Sequence, residues 1–398
     1  LRICRCNICL AARAGLCVER WATSLQLEAL VVDYITVDMI DDLAEGAAFL
    51  GTGGGGDPYI GALLLREALD RFGPVPLLPL SSVDDDAFVF SAAGMGAPTI
   101  LIEKLLSLED ADSAVRALER HIGRTATVII PDEIGGLNAT LPIAYAAMRG
   151  LPVIDADGMG RAFPSLQMTS FNVAGVSCAP IALADEFGNR VIIEAKSAEL
   201  AEELARPLVA AFGAGAALSC YPMTGAEAKR SGVAGSLTAA LEIGAAVRGR
   251  ADGTEPVHRL LSVLRRLPLY GRAYRLFDGK IVGLERDTTR GWVFGACEIA
   301  GLEDERRCLV KFQNENLSVE IDGVLHAIVP DLITIVDRDT GSTIPTESLR
   351  YGQRVAVIGC SAPLQIRTPD ALKIMGPQAF GLSHPYTPVE ILAAELER

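Results

Sequence analysis

Between residues 75 and 155 four short apolar runs, 75–80, 87–91, 126–130 and 151–155, lack the in–out alternation of a half-exposed strand. Amphipathic stretches at 98–108, 110–121 and 137–149 separate them, after earlier helical segments at 38–49 and 59–72. Strands that are apolar on both faces and alternate with helices predict a mostly parallel sheet covered on both sides. After residue 172 the rhythm changes. A hairpin is expected over 173–195, turning at Glu186-Phe187-Gly188-Asn189, then helices at 197–213, 224–249 and 256–266. From 271 to 368 short strands punctuated by Asp278-Gly279, Asp322-Gly323 and Thr340-Gly341 predict a β-rich module, a barrel or a sandwich. A length of 398 residues suits two domains. We set them at 33–172 (α/β) and 173–398 (β-rich, with a helical segment over 197–268).

The formal net charge of −14 argues against nucleic-acid and anionic-membrane partners. No run of about 18 apolar residues predicts a membrane span. Four of the 9 cysteines lie in the first seventeen residues and the other five are scattered, which suggests reduced thiols and a cytoplasmic protein. Cys4, Cys6 and Cys9 lack paired C-x-x-C halves, so residues 1–32 are expected to be an extension, disordered or not native, and not a metal site.

Residues 51–56 satisfy G-x-G-x-x-G, but a helical segment precedes them and the next strand ends in Ser81-Ser82. A dinucleotide fingerprint follows a strand and has an acid about twenty residues on, so no nucleotide is expected. The amides of Gly53, Gly54, Gly55 and Gly56 at a helix start, with Asp57 beside them, suit a substrate carboxylate or carbonyl. The competing reading is a tight helix–helix turn. Asp57 and Pro58 fit a helix N-cap and first position.

Two acid-bearing, glycine-rich loops follow strands: Pro131–Asn138 and Asp155–Arg161. Ligands of open parallel sheets bind at the carboxyl ends of strands. With Gly94-Met95-Gly96 these loops predict a common site. Glu133, Asp155 and Asp157 are its candidate general bases or ligands of a divalent metal; the competing reading makes Asp155 and Glu133 caps of the next helices. Arg161 clamps a carboxylate or neutralises Asp155 and Asp157; Gln167 suits an amide edge. Thr224 reads as a helix cap. The polar stretch Lys311–Asn316 either approaches the first domain's site or solvates a sheet edge. The four histidines have no metal-ligand spacing, with His384 the one to watch, and no G-x-S-x-G elbow occurs.

GTGGGGDP at 51–58, PDEIGGxN at 131–138 and GLPVIDADGMGRAFP at 150–164 resemble the S-methyl-thiohydantoin desulfurase family. So do QNE at 313–315, PDLI at 330–333, TExLRYG at 346–352 and RTP at 367–369, and the likeness spans about residues 33–390. The resemblance implies a three-layer Rossmann-like α/β/α domain followed by a β-barrel-like domain. It also implies hydrolytic loss of sulfur from a thiohydantoin or its S-methyl form. Its link to hydantoinase and oxoprolinase systems implies a small cyclic amide or thioamide as ligand. It leaves two further roles open, a non-catalytic accessory subunit and a hydrolase of another cyclic amide. Either a homo-oligomer or a hydantoinase-type partner fits. Motif chemistry assigns Asp157, Glu133, Asp155 and Arg161 to catalysis, and Gly53–Gly56, Asp57 and Gln167 to substrate.

Overall fold

The computed structural model describes residues 32–96, 107–249, 253–289 and 292–396. The expected extension, but for Val32, and nearly all of the expected helix 98–108 lie outside the described residues. The first sheet contains β1 (Tyr34–Ile35), β2 (Val75–Pro79), β3 (Phe88–Ser91), β5 (Val128–Ile130) and β6 (Val153–Asp157). A second contains β4 (Ala93–Gly96), β7 (Ile181–Ala184), β8 (Arg190–Ile193) and β9 (Gly215–Ser219). Strands β2, β6, β5 and β3 run parallel, in that spatial order. Their alternate residues divide between two cores. Leu77, Phe88, Phe90, Ile129 and Val153 join helices α1 (Ile40–Leu50), α2 (Pro58–Phe72), α3 (Leu108–Ile122) and α4 (Leu137–Arg149). Val89, Val128, Ile130, Ile154 and Ala156 share a second cluster with β7, β9 and helix α5 (Ala198–Ala211).

The strands are thus apolar on both faces, as their composition requires, but the second core is shared with an antiparallel sheet and not with helices alone. The expected boundary at 172 is not where the elements divide. Strands β10 (Met223–Thr224) and β11 (Val233–Ala234) pair with β3 and β6 in the first sheet. β11 also breaks the single helix expected over 224–249 into Gly225–Ser231 and α6 (Ser236–Arg248). Val32–Arg398 form one compact unit. α6 crosses α1 at glycines. A Cβ on Gly46 would lie 1.7 Å from the Ala240 carbonyl oxygen, and one on Gly244 would lie 1.7 Å from that of Asp42.

Helix α7 (Pro256–Arg266) leads into the third sheet. It holds β12 (Ala273–Thr289), β13 (Trp292–Gly301), β14 (Arg307–Gln313), β15 (Glu315–Ile321), β16 (Val324–Ile328), β17 (Leu332–Asp337) and β18 (Arg354–Cys360). Its order is β16-β15-β14-β13-β12-β18-β17, antiparallel throughout. Edge strand β17 comes back against β15 and β16, so the sheet curls into a half-barrel around Ile281, Cys297, Ile299, Val310, Phe312 and Val319. Register shifts such as that at Lys311/Phe312 supply local twist. Asp322 and Gly323, at φ 48° and 78°, form the expected left-handed turn. Asp278-Gly279 does not turn. It sits within central strand β12, where Gly279 pairs with Gly301 and Val355. A Cβ there would lie 2.4 Å from the Ala300 carbonyl oxygen, so the glycine permits close strand approach. The five described cysteines are free and buried.

Gly46→Ala places a methyl where the α6 backbone stands and forces the helices apart. The expected cost is about 1–3 kcal/mol, seen as a lower urea midpoint at unchanged m-value.

Candidate functional site

At the carboxyl ends of β3 and β5 the chain leaves the parallel sheet in loops that line a cavity of about 90 Å³. That is several times the space a water needs, and suits a small molecule. Its wall includes Gly55, Gly56, Gly94, Asp132, Glu133, Asn138, Arg206, Asn314 and Glu315, with Met95, Met159, Phe163, Leu166 and Leu218 as apolar surface. Asp132, Glu133 and Glu315 are each more than nine-tenths buried. Each has one carboxyl oxygen, Asp132 Oδ1, Glu133 Oε2 and Glu315 Oε2, without a hydrogen-bond partner. Buried polar atoms normally have partners, so three orphaned oxygens around one cavity mark a place for a ligand or water.

The two adjacent acids differ in environment. Asp132 Oδ2 accepts from the Ser91 hydroxyl at 3.0 Å and the Cys220 thiol at 3.1 Å. Burial raises its pKa to about 6, those donors pulling the other way. Burial raises Glu133 to about 8, against the Asn138 amide. Asn138 is fixed at both ends. Its Oδ1 accepts from Gly94 N at 2.7 Å, and its Nδ2 donates to Gly94 O at 3.1 Å and to Glu133 Oε1 at 2.7 Å. Glu133 Oε1 accepts that hydrogen, which leaves the unpaired Oε2 as the oxygen best placed to carry the proton of the neutral acid. Near neutral pH the cavity thus holds an ionised Asp132 beside a protonated Glu133. Burial and the neighbouring Glu133 also raise Glu315.

Of the residues predicted from sequence, Glu133, Gly55 and Gly56 line the cavity. Gly53 and Gly54 instead admit the β14–β15 corner. A Cβ on Gly54 would lie 2.1 Å from Glu315 Oε1, and one on Gly53 would lie 2.9 Å from Asn316 Nδ2. Asp57 caps α2, accepting from Tyr59 N at 2.8 Å. Asp155 caps α6, accepting from Leu237 N and Thr238 N at 3.0 and 3.1 Å and from the Thr238 hydroxyl at 2.6 Å. Asp157 is fully buried behind the cavity wall, with Oδ2 on Met159 N and Gly160 N. Burial lifts its pKa to about 7. Gln167 does not line the cavity.

Arg161 neither clamps a ligand nor neutralises Asp155 or Asp157. It is fully buried. Its guanidinium donates to the carbonyls of Ala162, Pro330, Asp331 and Asn316 and to the Thr52 hydroxyl, at 2.7–3.3 Å. Sequence reasoning quoted Asp132, Asn138 and Glu315 within motifs but gave them no role; it missed Arg206, Ser91 and Cys220. The adjacency of Asp132 to Glu133 was the available signal. Arg206 is the only basic residue of α5 and precedes Pro207 inside the helix, but neither feature says which wall it joins. Of the two readings of Lys311–Asn316, the stretch approaches the site through Asn314 and Glu315, while Lys311 pairs with Glu320. Thr224 caps its helix in a capping box with Glu227. Among the described residues no group of three or more His, Cys, Asp or Glu is arranged to hold a metal. Nor is any described helix long and apolar enough to cross a membrane.

Residues 38–195 match the family described as S-Me-THD-like, N-terminal domain, and residues 196–389 match S-Me-THD-like, C-terminal domain. The chain belongs to the S-Me-THD-like family. The cavity draws on both matched regions of this S-Me-THD-like chain, with Asp132 and Glu133 from the first and Arg206 and Glu315 from the second. A crystal structure of a protein from Chromobacterium violaceum is similar over 90% of this chain and 100% of that one, at 26% identity and a TM-score of 0.76. No curated protein matches the chain.

Two outcomes follow for stability. Glu133 has a folded pKa raised from 4.5 to about 8. Its neutral form therefore favours folding below about pH 4.5, and that contribution is lost as pH rises through about 8. In Glu133→Gln, urea unfolding across this range is expected to show a shallower fall in stability than wild type. Arg161→Met leaves four carbonyls without their donor and is expected to cost about 3 kcal/mol or more, read as a lower urea midpoint.

Proposed function

We propose that this protein hydrolyses the carbon–sulfur bond of a small thiohydantoin-like ring. The family description supports the ring class. The observation that carries the chemistry is the pairing of an ionisable Asp132 with a Glu133 whose proton is directed to its unpaired oxygen. Neighbouring carboxyls with pKa values pushed apart divide into base and acid. Asp132 Oδ1 takes a proton from water, and the water oxygen bonds to the ring carbon that bears sulfur. Glu133 Oε2 gives its proton to the sulfur as the carbon–sulfur bond breaks. With an S-methyl ring methanethiol leaves, and the hydrogen still on the added oxygen moves to the ring nitrogen to give the carbonyl; with a thiocarbonyl ring that same hydrogen passes to the departing sulfur, so hydrogen sulfide and the same carbonyl form. The proton on Asp132 returns Glu133 to its acid form through solvent. A Rossmann-like origin for the parallel sheet belongs to the same reading, supported by its four parallel strands.

Purified protein is incubated with 5-substituted thiohydantoins and their S-methyl forms, following thiocarbonyl absorbance and thiol release. Asp132→Asn and Glu133→Gln are each expected to lower kcat/KM by about 10²–10⁴-fold. The wild-type pH profile should be bell-shaped, with limbs near the Asp132 value of about 6 and the Glu133 value of about 8. Full activity in both variants overturns the assignment. Activity lost on chelation and restored by a divalent metal replaces it with metal-assisted hydrolysis. Silence of the folded wild type across the panel favours the accessory-subunit role or another cyclic amide.

A further inference from the structure

We propose that the free edge of β8 is a self-association surface, where a second copy of this chain pairs its own β8 antiparallel and joins two four-stranded sheets into one. The inference is independent of the ring chemistry. The second sheet runs β4-β9-β7-β8, so β8 has a strand on one side only. Antiparallel neighbours exchange backbone hydrogen bonds at alternate residues. Asp185 N donates to Asn189 O at 3.2 Å, and the register goes on to pair Leu183 with Val191 and Ile181 with Ile193. By that alternation the N–H and C=O groups of Val191 and Ile193 face β7, and those of Arg190, Ile192 and Glu194 face outward. Among the described residues no backbone group bonds to them from the open side. A strand edge left open in this way is a template for another strand.

Charge fixes the occupant and the register. With a two-fold axis at Ile192, Ile192 meets its own copy, and Arg190 of each chain meets Glu194 of the other. All three pairs join outward-facing backbone groups, and opposite charges set directly across a strand pair stabilise it. An isologous contact needs such a self-complementary patch. Within one chain Arg190 and Glu194 do not pair with each other. Arg190 Nε donates to the Ser113 hydroxyl at 2.6 Å, and Glu194 Oε1 lies 2.9 Å from His121 Nε2. Both side chains therefore lie on the α3 face. The hairpin tip supplies an independent, apolar observation. Phe187 is 82% exposed, more than any other large hydrophobic residue described. In this register the tip of one copy lies beside Lys196 and Ser197 of the other, where α5 begins, and α5 carries exposed Leu200 and Leu204. Association gives Phe187 the apolar neighbours that it lacks in the single chain.

Sedimentation velocity of the full chain reads the association. Wild type is expected to be a dimer at micromolar concentration. R190E and E194R each set like charges opposite one another across the axis and are expected to be monomers. An equimolar mixture of the two variants should again give dimers, because every contact between positions 190 and 194 then joins opposite charges. F187S should raise the dissociation constant about 10-fold or more. In wild type, amide hydrogen exchange over residues 190–194 should be slower in the dimer than in the monomer reached by dilution. A monomeric wild type overturns the surface. So does a wild-type oligomer that R190E and E194R leave intact, a mixture that stays monomeric, or exchange over 190–194 that does not change on dissociation. The exchange measurement decides the matter even where a variant fails to fold.

Discussion

A single guanidinium, that of Arg161, joins segments far apart in sequence. It donates to Thr52 in the glycine-rich loop, to Asn316 at the start of β15, and to the carbonyls of Pro330 and Asp331 before β17. Arginine suits this place because it stays charged when buried and presents five donors in a fixed fork. Around it the two regions dock by backbone. Asn316 N donates to Thr52 O at 2.7 Å, and Thr346 N donates to Gly53 O at 2.9 Å. Gly53 and Gly54 carry no Cβ, and that is what lets Asn316 and Glu315 come this close. The cavity is therefore a product of docking.

Within it, Asp132 and Glu133 are both raised by burial but differ in the groups that surround them. Asp132 receives a hydroxyl and a thiol hydrogen, which favour its ionised form. Glu133 receives an amide hydrogen from Asn138 and one from the Phe163 backbone, and the charges of Asp132 and Asp157 beside it favour its neutral form. Asn138 is held by Gly94 on β4, and Gly158 N, past β6, donates to the Asp132 carbonyl at 3.0 Å. The acids are thus fixed by loops that follow different strands.

Much of the first half was legible because its signals are local. Helix α4 spans Leu137–Arg149 as its pattern indicated, and Asp57 with Pro58 starts α2. The 181–193 hairpin also lies where the turn at 186–189 put it. The readings that failed depend on partners distant in sequence. Asp278-Gly279 looks like a turn until two neighbouring strands are set beside it. β11 is two residues long and exists because β6 pairs with it. At the site, the P-D-E-I-G-G motif led to Glu133. Asp155 and Arg161 were misplaced because a cap on α6 and a set of backbone carbonyls have no signature in their own loops. Residues 314–315 carried a signal of polarity, but which wall they join is set by the curl of the third sheet.

The closeness of Glu315 to Gly54 has a consequence for how the site comes into being during synthesis. The ribosome releases residues 132–133 long before 314–316. Until that corner arrives, the cavity lacks part of its wall and the two acids meet more water. They then titrate nearer to ordinary carboxyls. The electrostatic cost of burying two adjacent carboxyls thus falls late, when the third sheet closes the last wall.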